Sequence, residues 1–190
     1  MLMFREKVSA DWLAKVLANL PAVLVDHAHL ERKAATTAMN LEKYRDLYGR
    51  VGDLNAIAIE ELQHFQLVLA LLHERGIPFG QPYPSPYITG LMRSIRNGQR
   101  HQAIDHLLCC ALVEGRSCEK FQFLAAGLAD IDPPLAAFYA SLVESEGNHY
   151  ATYLLMAREI DADETARRME FYLDLDAELM RKPNPLPMLH

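Results

Sequence analysis

Residues 56–69 read AIAIEELQHFQLVL, and two polar side chains inside this apolar run decide the fold. Ile57, Glu61, His64, Val68 and Leu71 recur at the three- and four-residue spacing of one helical face. Glu61 and His64 therefore project from neighbouring points of that face. Residues 141–154, SLVESEGNHYATYL, repeat the pattern with Glu146 and His149. Each Glu-x-x-His follows a lone glutamate on an apolar helical stretch: Glu31 stands 30 residues before Glu61, and Glu114 stands 32 before Glu146. One Glu from each of two helices, with Glu-x-x-His from each of two others, is the ligand set by which a four-helix bundle holds two iron or manganese ions. The candidate metal ligands are thus Glu31, Glu61, His64, Glu114, Glu146 and His149.

The motif alone is weak, because a chain of this composition yields about 0.6 Glu-x-x-His matches by chance. Its setting carries the inference. An ionised carboxylate on a buried apolar face costs several kcal/mol without a partner, so four of them need cations. The competing reading is that all six residues project outward as solvated side chains.

At 190 residues, 51% apolar and 23% charged, the chain is long enough for one well-cored domain, residues 1–190. A net charge of −6 supplies no global basic field, so contact with nucleic acid must be local. Cys109, Cys110 and Cys118 form an odd set without disulfide or C-x-x-C spacing, which points to a reducing cytoplasm. The N-terminal stretch MLMFREKVSADW is interrupted by charges and lacks a continuous apolar core of signal-peptide length, and no apolar run reaches membrane-spanning length. The expectation is a soluble, unexported protein.

Glycines and prolines cut the chain into segments with helical periodicity and no sustained alternation, so the class is all-α. A short helix is expected over about 10–19. Four main helices are expected over about 21–46, 53–76, 99–129 and 134–160, and a last one over about 163–181. Gly49 and Gly52 are expected to break the first main helix, with Asp53 capping the second. The segment GIPFGQPYPSPY from residue 76 holds four prolines in twelve residues. With a short helix capped by Ser85-Pro86 and ending near Asn97-Gly98, it makes the long central crossover of a ferritin-like bundle. Measured about residue 49, Glu31 and Glu61 lie at unequal distances, a mismatch of roughly 9 Å of helical rise. An offset turn or a helix irregularity must remove it. The proline-rich tail is expected to dock or fray.

Other candidates are secondary. His27 precedes Glu31 by one helical turn and is read as a hydrogen-bond partner or a substrate-side residue. Glu60 and Ser145 precede the two motif glutamates and turn about 100° away, where either is able to orient a histidine of a neighbouring helix. Cys110, Cys118, Tyr150 and Tyr153 lie one or two turns from ligand positions and are candidate cavity residues. Arg93, Arg96, Arg100 and His101 cluster in RSIRNGQRH, a phosphate-contact candidate or a solvated helix face. A carboxylate-rich di-iron site supports hydroxylation, ferroxidation with storage, or peroxide chemistry, and the ligand set alone does not choose.

The segments DHAHLERKAA (26–35), AIEELQHFQLVL (58–69), HLLCCALVEGRSCEKF (106–121) and SLVESEGNHYATYL (141–154) resemble the MiaE family of tRNA hydroxylases over nearly the whole chain. The resemblance implies a ferritin-like di-iron monooxygenase with the six residues above as ligands. It implies hydroxylation of the isopentenyl group of 2-methylthio-N6-isopentenyladenosine in tRNA, using dioxygen and two electrons. Because no electron-transfer motif occurs here, a separate reductase or ferredoxin is implied, with no membrane and no DNA partner. The modified base lies in a single-stranded loop, so presenting it to a pocket costs less than flipping a paired base. The alternative is a ferritin-like ferroxidase or peroxidase without a tRNA substrate.

Overall fold

The computed structural model describes residues 4–182, 184, 186 and 188–190. Met1 to Met3, and Pro183, Pro185 and Pro187 of the tail, lie outside the described residues. The described residues form helices and no strand: α1 (Ala10–Leu17), α2 (Leu20–Leu41), a 3-10 helix (Arg45–Arg50), α3 (Val51–Glu74), α4 (Pro86–Arg93), α5 (Gln99–Leu128), α6 (Pro133–Ile160) and α7 (Ala162–Arg181). None is long and apolar enough to cross a membrane.

Local chemistry sets most ends. Ser9, Ser85, Asp132 and Asp161 each accept a hydrogen bond from a backbone N–H of the first turn of α1, α4, α6 and α7 respectively. At the far end of α3, Gly76 adopts φ +64°, the left-handed conformation in which a Cβ is costly. Ile77 N then bonds Leu72 O at 2.9 Å and Gly76 N bonds His73 O at 3.1 Å, closing the last turn.

Two expectations are corrected between α2 and α3. α2 ends at Leu41 rather than near Asp46, and the break is not at Gly49 or Gly52, because the 3-10 helix runs directly into α3 and Gly52 lies inside it. Asp53 is therefore not a cap. It sits in the first turn of α3, pairs with Arg50 at 2.9 Å and faces the positive helix end. The shift of the turn removes the expected mismatch: Glu31 lies ten residues before the end of α2, and Glu61 ten residues after the start of α3. α4 also ends early, at Arg93, because Ser94 Oγ donates to Leu91 O and Arg96 N is drawn to Asp105 Oδ2 at 2.9 Å.

α2 packs chiefly along α3, and α5 along α6. The segment from residue 75 to 98 carries the chain back along the bundle, so α5 starts at the end where α3 starts. The apolar core falls into two clusters. One gathers Ala38, Leu41, Leu54, Leu107, Leu112 and Tyr153; the other gathers Leu24, Ala28, Val68, Phe121, Tyr139 and Leu142. On each of the four long helices the change from one cluster to the other falls at the candidate ligands. A polar layer thus divides the core at one level of the bundle.

Candidate metal centre

Glu31 of α2, Glu61 and His64 of α3, Glu114 of α5, and Glu146 and His149 of α6 meet in that layer, none more than 6% exposed. Their ligand-type atoms form two overlapping groups, each within 4.8 Å: Glu31, Glu61, His64 and Glu146, then Glu61, Glu114, Glu146 and His149. Glu61 and Glu146 belong to both. Each group adds one further carboxylate and one imidazole.

The buried atoms meet without satisfying one another. His149 Nδ1 lies 2.7 Å from Glu61 Oε1, and His64 Nδ1 lies 3.6, 3.7 and 3.8 Å from oxygens of Glu31, Glu146 and Glu61. Yet both Glu61 oxygens, Glu146 Oε1 and both Nδ1 atoms have no hydrogen-bond partner. Buried polar groups are nearly always partnered. Lone pairs crowded together without hydrogen-bond geometry fit a shared cation, and oxygen with imidazole nitrogen is a donor set suited to iron or manganese.

Electrostatics agree. Burial, reinforced by Glu114 and Glu31, pushes Glu61 up to about 8, and burial also raises Glu114 and Glu146. Burial opposes charge on Glu31 too, but His27 and His64 outweigh it and hold that carboxyl below its usual range. Desolvation would lower the imidazoles, yet the carboxylates raise His64 to about 10 and His149 to about 9. Four crowded carboxylates coexist in ionised form only against added positive charge.

The residues around the layer hold it in place. Glu60 Oε2 lies 2.8 Å from His149 Nε2, and Ser145 Oγ lies 3.4 Å from His64 Nε2. The two contacts cross between α3 and α6 in opposite directions. Each occupies the outer ring nitrogen and leaves Nδ1 facing the cluster. His27 Nε2 lies 2.5 Å from Glu31 Oε1 while its ring stacks on Tyr139, with centroids 5.5 Å apart.

Between α2 and α5 lies a cavity of about 530 Å³, within the roughly 300–1,000 Å³ typical of small-molecule sites. Glu31, Glu61, Glu114 and Glu146 form its polar floor, and Leu30, Ile88, Met92, Val113, Phe121 and Leu189 give it apolar walls. Its exposed rim carries Arg32, Lys33 and Thr36. Cys110 and Tyr153 line it. Cys118 and Tyr150 do not: the Cys118 thiol lies against Val143 O at 3.5 Å, and Tyr150 packs on the core. Of the arginine cluster, Arg96 is turned inward and bound to Asp105 and Glu164. Arg93, Arg100 and His101 are exposed, with Arg100 bonded to Ile160 O.

Sequence reasoning missed Leu189 and His190, which line the cavity, and the buried Asp26 and Lys120 that hold them. No periodicity marks a two-residue tail contact. Lone charges at Asp26 and Lys120 within apolar helices were the signal open to reading.

The chain matches, over residues 2–190, the family described as tRNA-(MS[2]IO[6]A)-hydroxylase (MiaE). It is 35% identical over 175 residues to a tRNA 2-(methylsulfanyl)-N(6)-isopentenyladenosine(37) hydroxylase of Pseudomonas putida, covering 91% of this chain and 84% of that one. A protein of the same name from Salmonella typhimurium is 33% identical over 161 residues, covering 84% of this chain and 58% of that one. Among solved structures, Protein 43 with aldehyde deformylating oxygenase activity, from Synechococcus, superposes with a TM-score of 0.91 at 31% identity, covering all of this chain and 96% of that one.

Proposed function

The chain belongs to the MiaE family of tRNA hydroxylases, and on that premise we propose that it hydroxylates the isopentenyl group of 2-(methylsulfanyl)-N6-isopentenyladenosine in tRNA. Its cofactor in this reading is a pair of iron ions held by Glu31, Glu61, His64, Glu114, Glu146 and His149. Glu61 and Glu146, common to both ligand groups, would serve both ions. The reaction takes up dioxygen, two electrons and two protons, inserts one oxygen atom into an allylic C–H bond and releases the other as water. When bound, the iron pair supplies the activation of dioxygen that this insertion requires.

The protein contributes position and exclusion. Leu30, Ile88, Met92, Val113 and Phe121 enclose the prenyl chain over the carboxylate floor and keep bulk water from it. Glu60 and Ser145 hold the two imidazoles in register. Arg93, Arg100 and His101 contact tRNA phosphates, while Arg96 serves the fold. Electrons come from a separate reductase or ferredoxin, and the enzyme acts in the cytoplasm.

One observation carries the reading: an apolar cavity of base-and-prenyl size stands directly on a buried four-carboxylate, two-imidazole cluster. The test is anaerobic loading with ferrous iron, then addition of oxygen, reductant and prenylated tRNA, then nucleoside mass analysis. The expected product is heavier by one oxygen atom. Iron oxidation with an unchanged nucleoside would reject the tRNA reading and leave the ferroxidase alternative.

A further inference from the structure

Met188, Leu189 and His190 follow the last helix, yet they are only 3%, 1% and 5% exposed. Polar groups from four parts of the fold hold their backbone and ring. Trp12 Nε1 donates to Met188 O at 3.2 Å, Asp26 Oδ2 accepts from Leu189 N at 2.8 Å, Lys120 Nζ donates to Leu189 O at 2.5 Å, and Ser85 Oγ donates to His190 O at 3.1 Å. Ser117 Oγ lies 3.0 Å and Lys120 Nζ 3.4 Å from the two ring nitrogens of His190, and the ring stacks on Tyr87 with centroids 5.9 Å apart.

Asp26 and Lys120 are themselves 3% and 2% exposed. Among the described residues, their side-chain hydrogen bonds go to Leu189 and His190 alone. Buried charges without partners are costly, so helix packing alone gives no reason to place an acid and an amine there. They make sense as a receptor for this segment.

The segment's position has a consequence for the cavity. Leu189 and His190 line the space above the Glu/His cluster, and His190 also lines a second cavity of about 720 Å³ beside Trp12, Tyr87 and Arg93. His190 is the partition between the two spaces, and Leu189 continues it on the cluster side. Held at both ring nitrogens and along the backbone, it is a stiff partition.

We infer that Leu189 and His190 are positioning residues that form the closed wall of the substrate cavity and set the size of the adenosine substituent it accepts. The inference rests on the proposed function, since it takes the occupant to be a prenylated adenosine.

The test compares wild type, Leu189→Trp, Leu189→Ala and His190→Ala, each iron-loaded and kept anaerobic. The readouts are Kd for tRNA carrying the modified adenosine, for the same tRNA lacking the prenyl group and for the same tRNA carrying a longer terpenyl substituent, with melting temperature and metal content alongside. Leu189→Trp is expected to cut the preference for prenylated tRNA at least tenfold while affinity for the unprenylated tRNA and metal content stay in place. Leu189→Ala and His190→Ala are expected to admit a longer terpenyl substituent that wild type rejects. Unchanged preference in Leu189→Trp, together with unchanged size selection in the two alanine variants, overturns the inference. A wild type that leaves the nucleoside mass of prenylated tRNA unchanged in the oxygen reaction overturns the proposed function itself, a result read without any variant.

Discussion

The imidazole of His149 on α6 is tied at Nε2 to the carboxylate of Glu60 on α3, 2.8 Å away, so a half-exposed acid orients a buried candidate ligand from across the bundle. Such outer partners fix the tautomer and direction of a metal-binding ring. Glu60→Ala is expected to weaken iron affinity by about 10–100-fold. Because Glu60 lies outside the buried cluster, melting of the chelated protein should barely move. Equal metal affinity in the variant and the wild type would show that the contact has no such role.

Glu61 and Glu146 belong to both ligand groups, whereas Glu31 and Glu114 each belong to one. Glu61→Ala or Glu146→Ala is expected to abolish binding of both ions, and Glu114→Ala to leave one. Metal analysis of the purified variants checks this. One ion retained in Glu61→Ala contradicts a bridging place for that residue.

Metal removal should expose the cost of the polar layer. Glu146 is buried with Oε1 unpartnered, so the neutral Glu146→Gln is expected to stabilise chelator-treated protein by about 1–3 kcal/mol. The same change should weaken the metal-loaded protein. Denaturant midpoints measured with and without metal should therefore move in opposite directions.

Asp105 anchors the start of α5 to the crossover and to α7 through Arg96 and Arg168. Burial alone would raise its carboxyl, but the two guanidiniums and Arg96 N outweigh burial and hold it below the usual range. A depressed acid contributes stability above its unfolded value, about 3.9, and loses that contribution as pH falls through the folded value. Stability should thus fall below about pH 4 in wild type and more gently in Asp105→Asn. At neutral pH Asp105→Ala is expected to cost about 2–4 kcal/mol, reduced by the partial exposure of Arg96. Urea unfolding across pH measures both.

Arg116 and Asp176 form a fully buried pair between α5 and α7, and Tyr87 donates to the same carboxylate at 2.7 Å. Asp176→Ala strands the guanidinium and is expected to cost about 3–5 kcal/mol. Tyr87→Phe removes one hydrogen bond to that carboxylate and should cost less, about 1.5–3 kcal/mol. Similar losses in the two variants would remove the pair from the account of how α7 is held.

Much of this protein was legible in its residues. The helices, the central crossover and the order of four carboxylates and two imidazoles follow from spacing along single segments, because helical periodicity is local and a face is defined by its own turns. Glu60 and Ser145, each one step before a motif glutamate, are readable from their spacing alone as able to reach a neighbouring helix. What only the folded chain decided are relationships between segments. The end of α2 at Leu41, set by the 3-10 turn that follows, brings Glu31 level with Glu61. The packing of α2 on α3 and α5 on α6 leaves the cavity between the pairs. Leu189 and His190 reach its wall through hydrogen bonds to side chains more than sixty residues away. Contacts of that kind have no period and no spacing, so only packing in three dimensions brings them together.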